Sequence, residues 1–495
     1  MLRHQAALRL SDFEDYAFHD DSAEHPMVIV LRIVAEGRLN EGAFRDSLEE
    51  SLDENPLLQS VVRSQWHGNT WDRIKTSELP LQIDRFTDDQ LPMACPQKRL
   101  DLTKRPGVWF DLRVSPGRSV LIAYFHHACC DGMGAIRFIG DVFARYGQTT
   151  ATIKDMRPEL RHVDPEVLQL RGTRRMPGHC SDRRAPLWHT ITEASRLFLR
   201  RSYRFVTRPD TPELESNDSI RNVIHTRVLP RRILRQLKKF SASRGVTTND
   251  LCMSVFVQLL ADWSESDSAA HRDLFRILMP VSMRHPEHDS ISAANIVSFC
   301  FHNIARHQTK DFEALLSIVH KKSQQMVNRN EGAAMLYGFA LARKCPQGIR
   351  IAQRIQPDFA TAVMTNVGEV RQLFNNRFPL KQGRAIAGDV VLHRIDGVAP
   401  VRKNTNLTMS CGTYGGELIV HISRNTQIFS ESDALFFVNS IADRLVQLAN
   451  SETTAVMEQN TGEQNAVEQN AVEQNANQKN TTGDGLSSAA VNTPS

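Results

Sequence analysis

No run of ~18 apolar residues occurs in this 495-residue chain, so a membrane-spanning helix is not expected. The opening residues, Met1-Leu2-Arg3-His4-Gln5-Ala6, hold a base but no apolar stretch of signal-peptide length. The eight cysteines follow no spacing pattern and form no Cys-x-x-Cys pair, which argues against a disulfide framework or a zinc ribbon. They read as reduced thiols of a cytoplasmic protein. Excess charge is also lacking: 60 Lys and Arg against 56 Asp and Glu give a formal net charge of +4, too little to expect nucleic acid as a partner. What is present is ordinary for a globular protein, 41% hydrophobic and 23% charged residues. The length suffices for two domains of common size.

Hydrophobic patterning predicts two α/β halves, a linker and a tail. The first half covers residues 1–155. It opens with an apolar strand from Pro26 to Val34, and Asn40 is placed to cap a helix from Glu41 to Asp53, whose Phe44, Leu48 and Leu52 recur every four residues. The run Val120-Leu121-Ile122-Ala123-Tyr124-Phe125 reads as a buried strand. Beyond it Ala135, Ile136, Ile139, Val142 and Phe143 have helical spacing. Residues 156–215 are rich in Pro and Arg. There Leu187, Ile191, Ala194, Phe198 and Phe205 lie near one face of an expected helix, with Arg196, Arg200, Arg201 and Arg204 close by. A crossover packed on the body is the expected role, and peripheral contact with an anionic membrane is the alternative. The second half, 216–450, carries strands at Asn222–Val228, Phe275–Val281, Ala360–Met364, Leu407–Cys411 and Glu417–Ile422. Its helices are expected at Arg231–Arg244, Thr248–Trp263 and Ser430–Leu448. In the tail, 451–495, Glu-Gln-Asn recurs from Glu458, Glu463, Glu468 and Glu473. Such composition buries too little apolar surface to offset the entropy of ordering, so the tail is expected to be disordered.

The most informative segment is Tyr124-Phe125-His126-His127-Ala128-Cys129-Cys130-Asp131-Gly132-Met133-Gly134, at a strand-to-helix turn. Side chains on a strand alternate faces, so His126 and His127 should point opposite ways. One can enter a reaction channel while the other bonds internally. A metal set drawn from His126, His127, Cys129, Cys130 and Asp131 conflicts with that alternation, and no metal is expected. Gly132 suits a turn that is tight or has positive φ. Cys129 and Cys130 read as small packing residues rather than nucleophiles.

This segment resembles the His-His-x-x-x-Asp-Gly signature of the acyltransferases related to chloramphenicol acetyltransferase. That superfamily takes in peptide-synthetase condensation domains, plant BAHD enzymes, alcohol acetyltransferases and bacterial wax ester synthase/diacylglycerol acyltransferases. The resemblance spans most of the first 450 residues and looks nearest to the wax ester synthase and alcohol acetyltransferase types. Leu10-Ser11-Asp12-Phe13-Glu14, His25-Pro26-Met27, Asn55-Pro56-Leu57-Leu58, Val246-Thr247-Thr248-Asn249-Asp250-Leu251 and Pro280-Val281-Ser282-Met283-Arg284 with Asn295 follow the wax ester synthase order. Departures bear on the substrate. Thr365-Asn366-Val367-Gly368-Glu369-Val370 stands in place of Ser-Asn-Val-Pro-Gly-Pro and looks more like alcohol acetyltransferases and polyketide-associated acyltransferases. The Asp-Phe-Gly-Trp-Gly segment of BAHD enzymes is absent, and Gly134 stands where condensation domains usually have serine.

The resemblance implies two chloramphenicol-acetyltransferase-like halves, mixed sheets with flanking helices, meeting at a central substrate tunnel. It implies His127 as catalytic base, with Asp131 turned away from the channel and paired with an arginine, Arg284 being the first choice. Arg284 as an exposed strand-end charge is the alternative. Candidates to steady the oxyanion or position substrate are Asn249, Ser282, Thr365 and Asn366, with Asn249 also suited to cap a helix. The implied reaction moves an acyl group from acyl-CoA, or from an acyl carrier protein, to an alcohol, without acyl-enzyme or cofactor. A free-standing condensation-type enzyme forming an amide or ester from carrier-bound groups, and a catalytically silent acyl- or partner-binding homologue, are the alternatives. Two halves in one chain imply a monomer.

Overall fold

The computed structural model describes residues 8–66, 68–75, 78–177, 201–205, 222–265, 272–345, 347–355, 359–375, 377–403 and 405–451. In chain order the first part comprises β1 (Leu8–Arg9), α1 (Asp12–Asp20), β2 (Val28–Glu36), α2 (Glu41–Asp53), β3 (Ser60–Gln65), β4 (Gly68–Arg73), β5 (Leu81–Arg85), β6 (Val108–Val114), β7 (Arg118–His126) and α3 (Gly132–Thr150). The second comprises β8 (His225–Leu229), α4 (Arg231–Ser243), α5 (Thr248–Glu265), β9 (Leu274–Ser282), β10 (Val297–Ala305), α6 (Phe312–Asn328), α7 (Glu331–Ala342), β11 (Ala362–Glu369), β12 (Leu380–Lys381), β13 (Arg384–Ala387), β14 (Val390–Val398), β15 (Leu407–Tyr414) and β16 (Glu417–Arg424), then a helix over 431–451.

Two large mixed sheets result, as expected for paired α/β halves. The first has seven strands in the order β12-β13-β14-β2-β7-β6-β5, and the second six in the order β10-β9-β11-β15-β16-β8. Strands β1, β4 and β3 form a small third sheet. The central strands β2 and β7 are apolar almost throughout because both faces are covered. Ile29, Leu31 and Ile33 enter one core with Phe44, Leu48 and Leu52 of α2. Val28, Val30 and Val34 enter another beneath Leu100 and Ile224. Asn40 caps α2 by accepting the Ala43 N–H. The second sheet has its own core, built from Leu234 and Leu237 of α4, Phe256 and Leu260 of α5, Leu315 of α6, and Phe437 and Leu445 of the last helix.

One segment departs from the division at residue 216. Strands β12, β13 and β14 come from the sequence of the second half but complete the first sheet. Strand β14 runs antiparallel to β2, with Asp396 opposite Arg32. The Arg32 guanidinium bonds the Asp396 carboxylate, Nε to Oδ2 at 2.8 Å, and both side chains are buried. The edge of β2 carries backbone groups that need partners, and β14 supplies them. An apolar alternation says that a strand is half buried but not which sheet it joins.

From the linker, Arg171 is buried against Glu14 and Arg161 against Asp141, pinning residues 157–172 to the first half. The helix expected around Leu187–Phe198 lies outside the described residues, as do residues 452–495 of the tail. Tyr203 and Phe205 are buried in the second core. Among the described residues no helix is long and apolar enough to cross a membrane.

Asp396→Ala would leave Arg32 as a buried cation without its partner. We expect a stability loss of about 3–5 kcal/mol by denaturant unfolding; a loss below about 1 kcal/mol would show that the pair does not hold β14 in place.

Candidate active site between the two sheets

Strand β7 ends at the histidine pair, between β6 and β2. The His126 N–H donates to the Gly107 carbonyl and the His127 N–H to the Met27 carbonyl, both at 2.7 Å. Successive N–H groups turn to opposite neighbours, and the two rings diverge. His126 is buried, its Nδ1 accepts the Ala128 N–H at 3.1 Å, and its Nε2 lies 3.7 Å from Asp21 Oδ1. Burial pushes the Asp21 carboxyl up, but the His126 ring, the Met27 N–H that it accepts and nearby Arg99 together outweigh this and hold the group below its ordinary value.

His127 lines a cavity of about 1000 Å³, counting its open mouth, between the two sheets. Its ring packs 5.2 Å from the Phe13 ring, centroid to centroid. Its Nδ1 is buried and has no hydrogen-bond partner among the described residues. Burial lowers the imidazole's proton affinity, and its own carbonyl and Asp131 oppose this only in part, so the pKa lies below its ordinary value. His127 is therefore a neutral imidazole at neutral pH.

Asp131 caps α3 and borders the same cavity as His127. Its Oδ1 accepts the Gly134 N–H and its Oδ2 the Ile296 N–H, each at 2.8 Å. Arg284, just past the end of β9, grips both oxygens with Nη1 and Nη2, also at 2.8 Å. Both side chains are buried, which disposes of Arg284 as an exposed strand-end charge. Burial raises the Asp131 carboxyl, but Arg284 and the two backbone donors win and hold it below the usual carboxylate range. Asn295 completes the clamp by donating from Nδ2 to the carbonyls of His127 and Ala128, each at 2.8 Å.

The glycines behave differently from expectation. Gly132 lacks positive φ, and a Cβ added there would meet nothing within 4 Å. It is the first residue of α3 and borders the cavity, so what it supplies is open space rather than a strained turn. The tight approach is at Gly134, where an added Cβ would come 3.0 Å from the Ala294 carbonyl oxygen. Cys129 and Cys130 are wholly buried and burial pushes both thiols far up, so neither is a thiolate nucleophile.

From the second sheet, Ser282 on β9 and Thr365 and Asn366 on β11 border the cavity with His127. Ser282 Oγ accepts the Arg284 N–H at 3.3 Å. Asn249 does not border the cavity. Its Oδ1 accepts from Asn366 Nδ2 at 3.1 Å, so it acts on the cavity through Asn366. Nor does Asn249 cap α5: Thr247 does, its hydroxyl accepting the Asp250 N–H at 3.1 Å and donating to Asp250 Oδ2 at 2.8 Å. Sequence reading did not single out Phe13, Asp21, Ser410, Asp396 or His421 as neighbours of the site. Nothing in their local spacing marks them. His421 borders the cavity, its Nδ1 3.0 Å from Thr226 Oγ1, and burial pushes its pKa down to about 4. Among the described residues no three His, Cys, Asp or Glu side chains converge as metal ligands.

No family model matches the chain, and no curated protein matches it in sequence. Solved structures do match in fold. The first condensation domain of the calcium-dependent antibiotic synthetase, in complex with a substrate analogue, superposes with TM-score 0.62 at 13% identity, over 90% of this chain and 97% of that one. Polyketide synthase associated protein 5 from Mycobacterium tuberculosis gives 0.58 at 16% identity, over 90% and 98%. The starter condensation domain of rhizomide synthetase, a mutant in complex with C8-CoA and Leu-SNAC, gives 0.61 at 13%, over 90% and 94%. The chain has the condensation-domain fold.

Two outcomes test this site. Arg284→Ala strands a buried carboxylate and should cost about 3–5 kcal/mol in denaturant unfolding, with Arg284→Lys recovering only part because lysine lacks the fork. Equal stability of native and Arg284→Ala proteins would dismiss the clamp. The second concerns pH. His421 and the buried His302, also pushed down to about 4, stay neutral in the folded chain, whereas the unfolded histidines titrate near 6.5. Below that value the unfolded chain binds more protons, so stability is full above it and is lost as pH falls. Each should cost about 2 kcal/mol between pH 7 and pH 5. His302→Phe should flatten that slope; an unchanged slope in the variant would rule out His302 as a source.

Proposed function

We propose that the cavity is the reaction chamber of an acyltransferase that moves an acyl group from a thioester, acyl-CoA or acyl carrier protein, to an alcohol. The observation that carries this is a neutral, half-buried His127 bordering the space between the sheets, with its backbone clamped by Asn295 and its turn by Asp131 and Arg284. The fold likeness to domains whose structures hold substrate analogues, or C8-CoA and Leu-SNAC, supports it.

The chemistry needs no acyl-enzyme. His127 takes the proton of the acceptor hydroxyl as its oxygen attacks the thioester carbonyl carbon. The tetrahedral oxyanion collapses, the C–S bond breaks, and the departing thiolate recovers a proton from the imidazolium. General-base help is worth ~10²–10⁴-fold in rate. A donor to the oxyanion is worth about 3–4 kcal/mol. Ser282, Thr365 and Asn366 border the cavity and are the proposed donors, with Asn249 positioning Asn366. Asp131 serves by fixing the turn, not by touching the reacting atoms. The two sheets enclose the chamber within one chain, so the proposed working unit is a monomer, cytoplasmic or peripheral at a membrane.

The test is release of free thiol from a panel of acyl-CoAs offered alcohols and amines, for the native protein and His127→Ala. Acceptor-dependent release should fall by ~10²-fold or more in the variant. Because burial lowers the His127 pKa, the acid limb of kcat/KM should lie below the ordinary histidine value of 6.5. Native and His127→Ala proteins of equal rate would refute the proposal, and a preference for amines would move it to amide formation.

A further inference from the structure

Four hydrogen-bonding side chains stand in one row across the second sheet. Thr365 on β11 lies opposite Ser410 on β15, Ser410 opposite His421 on β16, and His421 opposite Thr226 on β8. Directly paired residues share a face of the sheet, and this face is turned to the cavity, which Thr365, Ser410 and His421 all border. Their chain neighbours Met364, Met409, Val420 and Ile422 enter the core on the other face. The next inner row, Gly412, Ile419 and Val228, carries no hydrogen-bonding side chain. Ile29, Leu31, Val367 and Ile395 add further apolar wall. A polar row thus crosses a chamber with much apolar lining.

The row is anchored at one end and open at the other. Arg32 Nη2 donates to Thr226 Oγ1 at 3.3 Å, and Thr226 Oγ1 lies 3.0 Å from His421 Nδ1. The Gly397 N–H donates to His421 Nε2 at 3.4 Å, so Nε2 is an acceptor and Nδ1–H donates to Thr226. Toward His127 the bonding thins out. Ser410 Oγ accepts the Ala399 N–H at 3.5 Å, and the Thr365 hydroxyl has no partner among the described residues. Hydroxyls left unpaired against an alkyl chain are unfavourable, and an oxygen function that bonds them removes that penalty. Net charge is kept out of the row. Burial pushes the His421 pKa down to about 4, so the ring is neutral, and Arg32 and Arg394 behind it both pair with Asp396. A carboxylate or ammonium placed there would be buried without a counter-ion of its own. A hydroxyl suits the row because it donates and accepts at once.

We infer that this row binds a hydroxyl carried on the substrate's chain, about 5–10 Å from the reacting carbon. The inference rests on the proposed acyl transfer and narrows its substrate class to oxygenated aliphatic groups. Adjacent strands lie about 4.8 Å apart, so with Thr365 at the oxyanion, Ser410 stands one strand away and His421 two.

The test compares octan-1-ol with octane-1,5-diol and octane-1,8-diol as acceptors, with octanoyl-N-acetylcysteamine as donor. It uses the full native chain and the variants Ser410→Ala, Ser410→Thr and His421→Phe. The quantity read is the kcat/KM ratio of diol to octan-1-ol, which a merely structural loss does not move because it lowers both rates alike. The native protein should favour at least one diol by ~10-fold or more. Ser410→Ala and His421→Phe should bring that ratio close to one, and Ser410→Thr, which keeps the hydroxyl, should retain it. A second arm sets 5-hydroxyoctanoyl against octanoyl thioesters of N-acetylcysteamine, with octan-1-ol as acceptor. A preference found only there upholds the row and assigns the hydroxyl to the acyl chain. No preference in either arm overturns the inference, as does a native preference that Ser410→Ala and His421→Phe leave intact. An equal fall with hydroxylated and plain substrates makes the row structural and overturns it too. A fall confined to octanoyl-CoA, with N-acetylcysteamine donors unaffected, would assign the row to the amides of the pantetheine arm instead. Calorimetric binding of the diols and octan-1-ol needs neither thioester nor turnover. A chain that binds a diol more tightly than octan-1-ol and transfers nothing would refute the proposed reaction and not the row.

Discussion

The Asp131–Arg284 pair is the interaction on which the site depends. Asp131 begins α3 in the first half, and Arg284 follows β9 in the second. One carboxylate thus caps a helix, accepts the Ile296 N–H and binds a guanidinium from the other half. A buried charge is tolerable only when paired and hydrogen-bonded, and this one has four bonds on its two oxygens. Removing any partner would loosen the turn that presents His127 and the meeting of the sheets together.

Around that joint, charge is used in two different ways. In the interior Arg32 with Asp396, Arg171 with Glu14, and Arg161 and Arg377 with Asp141 form closed pairs that fix strands and the linker in place. On α4 the cations are left open. The buried pairs specify which pieces of chain meet, because a mismatched pairing would leave a charge unsatisfied.

Much of the local structure was legible in the sequence because it depends on near neighbours. The strand before the histidine pair, the helix after it, the Asn40 cap and helices α4 and α5 fall within a few residues of where periodicity puts them. Asn249 was misjudged for a similar local reason: Thr247 stands three residues before Asp250, the spacing that closes a capping box, and it takes the cap. Gly132 was expected at a turn that is tight or has positive φ, yet it has neither, and open space beside the cavity is what its missing Cβ gives there. The crossing of β14, the Asn295 clamp and the placement of His421 at the cavity all depend on residues far apart in sequence, for which periodicity carries no signal.

By itself the sequence determined that adjacent histidines at a strand end must diverge, since side chains alternate, and that an Asp at the following turn can cap the helix. It also determined two α/β halves, through the apolar runs that each must bury. Only the tertiary structure decided which histidine borders the cavity, that Arg284 rather than any other arginine closes on Asp131, and that Leu380–Lys381, Arg384–Ala387 and Val390–Val398 belong to the first sheet. The physical reason is that burial and pairing are set by contacts between distant segments. Those same contacts lower the His127 pKa and hold Asp131 ionised, and no residue's identity fixes them in advance.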